Sequence, residues 1–110
     1  MENEPRTYDQ FALDEVFTSR PRVISRADVD AFTALSGDRT ALHTDEAYAA
    51  TTPLKGLVAH GALNLAVATG LAYELGLFEG TVLAFRSMEV RFERPVYPGD
   101  AVRLELRVAE

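Results

Sequence analysis

An α+β domain is the fold class this sequence predicts, and three features predict it. Residues 61–75 are apolar nearly all round, so they read as a helix that must be wrapped on most sides. Met88, Val90 and Phe92 alternate with Glu89, Arg91 and Glu93. Val102, Leu104, Leu106 and Val108 alternate with Arg103, Glu105 and Arg107. Both runs have period two and one charged face, as expected for strands of an antiparallel sheet that is wet on one side. A buried helix and a one-sided sheet combine when the sheet curls around the helix.

Residues 1–10 are polar and expected to be a flexible segment, with one domain over 11–110. Residues 11–17 lead into a first strand, which 21–24 extend. Ser25 followed by Asp28 resembles a capping box with Asp in place of Glu. The helix after it has Val29, Phe32 and Leu35 at a three-residue spacing, which predicts one buried face. Gly37 should end it. Residues 45–51 read as a short helix and 52–56 as a loop. Pro95, Pro98, Gly99 and Asp100 predict a turn between the two alternating runs.

Composition narrows the function classes. At 110 residues the chain can build one modest core. Its net charge of −6, with no basic stripe, argues against a nucleic-acid partner. Without cysteine there is no disulfide, thiol nucleophile or thiolate metal site. Two histidines with no nearby carboxylate spacing predict no metal site. Asn64, Thr69, Gly70 and Glu74 interrupt the apolar run, so it is expected to be a core helix and not a membrane span. The acidic N-terminus is unlike a signal peptide, which gives a cytoplasmic expectation.

The most informative stretch is Asp38-Arg39-Thr40-Ala41-Leu42-His43. Gly37 breaks the helix before it, and Thr44-Asp45 can cap a new one after it. Asp38 and His43 are therefore expected on a short non-helical turn, where their side chains can converge. Such a pair is a proton-transfer device in outline, because imidazole titrates near neutral pH. The competing reading is that Asp38 satisfies a loop and His43 packs. His60 reads as a residue at the start of the buried helix, and Phe85, Met88 and Phe92 read as core.

Three separated motifs carry a resemblance. They are the 38–43 stretch, Val58-Ala59-His60-Gly61-Ala62-Leu63, and Arg91-Phe92-Glu93-Arg94-Pro95-Val96-Tyr97-Pro98-Gly99-Asp100. In this order the chain resembles the MaoC-like, R-specific enoyl-CoA hydratase branch of the hotdog fold. The family pattern at the first motif is D-x-N-P-x-H, so Thr40 stands where Asn is usual and Ala41 where Pro is usual. The resemblance implies an antiparallel sheet wrapped around a long central helix, here C-terminally incomplete. It implies an enzyme, a hydratase or dehydratase of a 2-enoyl or 3-hydroxyacyl thioester carried on CoA or acyl carrier protein, with no cofactor. Asp38 and His43 would be catalytic, with His43 the better base and Asp38 the better acid. Gly61, at a helix N-terminus, would receive the thioester carbonyl. Thr40, Asn64 and Thr69 would contact substrate. A homodimer or heterodimer is expected. The rival readings are a non-catalytic hotdog subunit and a hotdog thioesterase.

Overall fold

The computed structural model describes residue 6, residues 10–77 and residues 87–109. In chain order its elements are β1 (Val16–Thr18), β2 (Arg22–Val23), α1 (Arg26–Ser36), α2 (Ala41–Thr44), α3 (Glu46–Ala50), α4 (Gly61–Glu74), β3 (Ala101–Val102) and β4 (Glu105–Arg107). The described residues divide into two compact units. One draws on the spans 1–21, 67–90 and 103–110, the other on 22–66 and 91–102.

In the first unit β1 pairs antiparallel with β4, Phe17 opposite Leu106. Both are half-buried between exposed neighbours, which is the period-two pattern of a one-sided sheet. Ser19 prolongs the pairing. Its N–H donates to the Leu104 carbonyl at 2.8 Å, and its hydroxyl accepts the Leu104 N–H at 2.7 Å. Leu71, Leu75 and Leu77 supply the buried apolar groups. Arg6 was expected in a flexible segment, yet it is held. Its N–H donates to the Leu77 carbonyl at 2.8 Å, and its guanidinium pairs with Glu15 at 2.8 Å. The same guanidinium lies over the Phe11 and Phe17 rings. Apart from Arg6 and Gln10, the expected flexible segment lies outside the described residues.

In the second unit β2 pairs antiparallel with β3, Arg22 opposite Val102. Ile24 extends the ladder by donating to the Asp100 carbonyl and accepting from Gly99. Residues 19–21 separate β1 from β2, whereas only 103–104 separate β3 from β4. The 19–21 stretch contains Pro21, which has no N–H to give to a ladder. A one-residue shift moves the buried face. Val23 is accordingly 54% exposed, and Ile24 is fully buried. The turn before β3 forms as expected. Asp100 N–H donates to the Tyr97 carbonyl, and Gly99 takes a positive φ of 101°.

α1 follows its caps. The Ser25 hydroxyl accepts from Asp28 N–H, and the Asp28 carboxylate accepts from Ser25 N–H. Gly37 closes the helix at φ 78°, donating to the Thr33 carbonyl. The predicted face needs correction. Val29 and Thr33 are buried, whereas Leu35 is 83% exposed. The buried stripe thus steps by four residues here and not by three.

The alternating runs are also corrected. No strand forms over residues 87–94, and Met88, Val90 and Phe92, expected as core, are exposed. The 102–108 run is split into β3 and β4, although its alternation of half-buried and exposed positions holds. α4 forms as expected, but it is not covered all round: Ala62, Ala66, Gly70 and Tyr73 are exposed. Phe85 lies outside the described residues.

Candidate active site

The site is built in the second unit, where α1 ends. Gly37 turns the chain out of the helix, and Asp38 follows, its N–H donating to the Ser36 hydroxyl at 3.0 Å. The chain is non-helical over 38–40 as expected and then winds into one short helical turn that was not, while the short helix expected over 45–51 forms as α3. His43 lies on the single turn α2, and Asp45 caps α3 by accepting from Tyr48 N–H. Ala41 is the first residue of α2. A proline is at home there because that N–H has no helical partner, and alanine keeps the same turn.

α2 is fastened to the buried segment that precedes α4. Val58 N–H donates to the Leu42 carbonyl, and His43 Nδ1 lies 2.7 Å from the Val58 carbonyl. A carbonyl only accepts, so Nδ1 carries the proton and Nε2 of neutral His43 keeps a lone pair. On its other side, Ala59 N–H donates to the Val96 carbonyl at 2.7 Å. Residues 57–60 are consequently all buried.

His60, at the end of that segment, is 2% exposed. Its Nε2 lies 3.1 Å from the Asp38 carbonyl and 3.3 Å from Thr33 Oγ1. Thr33 already spends its proton on the Val29 carbonyl at 2.9 Å. Both neighbours of Nε2 are therefore acceptors, and Nε2 must donate. That leaves Nδ1 of His60 buried with no hydrogen-bond partner. The His60 ring stacks on His43 with centroids 4.0 Å apart and planes 26° apart, and it also meets Phe32 at 4.9 Å.

Asp38, His43 and His60 each bring one polar atom within 4.8 Å of the other two. One water can bridge acceptors that far apart, since two hydrogen bonds of about 2.8 Å span it. Asp38 is exposed and His43 half-buried, so the pair is open to solvent while His60 lies beneath. Thr40 governs the carboxylate. Its hydroxyl donates to Asp38 Oδ1 at 2.6 Å and its N–H at 3.1 Å. These bonds, first the hydroxyl and then the N–H, hold the Asp38 carboxyl below the usual carboxylate range. The two imidazoles push the same way, and partial desolvation opposes them.

The argument against a metal set rested on sequence spacing, and on proximity it fails: the two histidines and a carboxylate do meet. Their orientation is a better guide. An imidazole binds a metal in its ring plane at about 2.0–2.1 Å. Ring planes that open by only 26° from centres 4.0 Å apart do not meet so close to the rings. The stacked pair suits a shared proton or water, not one shared ion.

A cleft of about 450 Å³ lies in the same unit, and Asp38, His43 and His60 are not among its lining residues. Ala59 and Gly61, on either side of His60, both line it, as do Asn64, Phe92 and Arg94. Asn64 Oδ1 is buried there with no hydrogen-bond partner. The Phe92 ring rests where a Cβ on Gly61 would project, within 2.9 Å of that position, so a side chain there would require the exposed Phe92 ring to shift. The structure brings together Asp38, His43 and Thr40, and places Gly61 and Asn64 along the cleft. It leaves Thr69 outside: that residue is exposed on the later half of α4 and is not in the cleft lining. His60 is the residue sequence reasoning passed over. The available signal was its place directly before Gly61 in a chain with two histidines.

The profile of the MaoC-like domain family matches residues 10–110. Over 82 residues the chain is 38% identical to an (R)-specific enoyl-CoA hydratase of Aeromonas caviae, covering 74% of this chain and 60% of that protein. Over 88 residues it is 34% identical to a 3-hydroxybutyryl-CoA dehydratase of Methylorubrum extorquens, covering 79% of this chain and 54% of that one. Among solved structures, an R-hydratase of Pseudomonas aeruginosa superposes with a TM-score of 0.77 at 35% identity, over 94% of this chain and 65% of the other. The chain therefore spans about half to two thirds of the length of these proteins. The hotdog-type α+β fold is shared with them.

Proposed function

Because the chain belongs to the MaoC-like domain family, we propose that it forms the acid–base half of a hydratase or dehydratase acting on 2-enoyl or 3-hydroxyacyl thioesters of CoA or acyl carrier protein. The observation that carries this reading is the meeting of Asp38 and His43 within 4.8 Å, beside the start of α4. In the hydration direction a water between them loses a proton to one group as its oxygen attacks the β-carbon. The other group delivers a proton to the α-carbon, and dehydration runs the same steps backwards. The sequence assigned Asp38 as the acid, but the Thr40 bonds keep its carboxyl ionised, so it has no proton to give and is left the role of base, a weak one because the same bonds lower its basicity. A carboxylate held ionised accepts the proton of water, and His43, protonated at Nε2, gives one to carbon.

Gly61 and the first turn of α4 would stabilise the thioester oxygen as it gains negative charge. Asn64, whose Oδ1 lacks a partner in the cleft, would meet a donor on the acyl carrier arm or a water. Thr69 is retained as a substrate contact only through the family resemblance. The reading uses no cofactor and takes the reaction to be cytoplasmic. The rival of a non-catalytic subunit rested in part on Thr40 and Ala41; Thr40 makes two hydrogen bonds to Asp38 and Ala41 opens α2, which supports a working loop.

The test is hydration of crotonyl-CoA and longer enoyl-CoAs, followed by loss of the conjugated enoyl-thioester absorbance. His43→Ala and Asp38→Asn should each lower kcat/KM by about two orders of magnitude or more. Both residues lie at the edge of the unit, so folding should survive. Wild-type turnover indistinguishable from buffer across the series would end the proposal.

A further inference from the structure

We propose that His60 is the positioning residue of the Asp38–His43 pair, an inference that rests on the acid–base reading of that pair. His60 is shut away from substrate at 2% exposure, so it can act only through what it touches. It touches both members. Its Nε2–H donates to the Asp38 carbonyl at 3.1 Å, at the point where Gly37 has just reversed the chain. Its ring stacks on that of His43 at 4.0 Å. The same N–H also reaches Thr33 Oγ1 on α1 at 3.3 Å.

One buried imidazole therefore ties together the end of α1, the Asp38 peptide, the His43 ring and the start of α4. The arrangement costs stability, because Nδ1 of His60 is buried without a partner. A phenyl ring would fill the same slab of space without that orphan. What a phenyl ring lacks is the N–H that holds Asp38. No other titratable side chain makes a described hydrogen bond to His60.

The experiment compares His60→Phe, His60→Gln and wild type on crotonyl-CoA, with imidazole and amide NMR on the same proteins. His60→Phe keeps a ring against His43 and loses the donor. It should lower kcat at least about tenfold, the scale of a small misplacement of catalytic groups, and change KM less than about threefold. His60→Gln can still donate to the Asp38 carbonyl and should recover part of that loss. The amide signals of Asp38 and Thr40 should move in His60→Phe and return towards wild type in His60→Gln. Equal kcat in all three, or unmoved Asp38 and Thr40 amides in His60→Phe, overturns the proposal. A wild type without turnover whose loop amides still respond in this order refutes the hydratase reading and leaves the positioning role standing. Loss of folding in His60→Phe, seen as a collapsed amide spectrum while His60→Gln matches wild type in fold and kcat, supports the donor as the part that matters.

Discussion

Thr40 sets the acid side of this site's pH response. Its hydroxyl and N–H both bond Asp38 Oδ1, and the Asp38 carboxyl is lowered in consequence. A carboxyl lowered in the folded state contributes stability above the ordinary carboxylate range, near 3.9. That contribution is lost as pH falls through the lowered folded value. Thr40→Val removes the stronger bond, so Asp38 should protonate at higher pH. The acid limb of a kcat/KM profile should then move up, and an unmoved limb would show that Asp38 is not the group it reports. Thr40→Asn restores an amide donor at this position. It should leave activity unchanged or raise it, and a large loss in steady-state turnover would mean the loop is organised otherwise.

At the scale of elements, α1 offers a paired test. Its start rests on the reciprocal bonds of Ser25 and Asp28, and a cap of this kind is worth about 1 kcal/mol. Ser25→Ala should therefore lower the melting temperature by roughly 4–8 °C. Leu35 has the same apolar chemistry as the core residues but is 83% exposed. Leu35→Lys should change stability by no more than about 0.5 kcal/mol. Calorimetry on both variants checks the pair, and a large loss from Leu35→Lys would mean that this face is covered in solution. The cap and the αL glycine were legible in the sequence because each acts within four residues. The buried face was not, since three-residue and four-residue steps both fit a helix and only the neighbours choose between them.

At the scale of the whole molecule, the 88–92 run carries the main prediction. Met88, Val90 and Phe92 are 50%, 40% and 64% exposed, and no strand forms there among the described residues. β4 pairs with β1 and β3 with β2, so among the described residues the 88–92 run has no ladder partner. Exposed apolar residues on an unpaired, alternating segment favour pairing with another chain. The chain should sediment as a dimer or larger, and Val90→Lys should shift it towards monomer. A wild type that sediments as a monomer at high concentration would remove this surface as an interface.

The sequence by itself determined the α+β class, the caps of α1, the turn at 97–100 and the approach of Asp38 to His43 just after α1. Each of these is written in residues close together along the chain, through backbone preference, capping and motif spacing. Tertiary structure decided what lies across the chain. It placed His60 beneath His43, rotated the α1 face from Leu35 to Thr33, and buried Ile24 while leaving its neighbour Val23 exposed. The physical reason is the same in all three. Burial and hydrogen-bond partnership depend on which segments meet, and a side chain's own neighbours in sequence do not specify that.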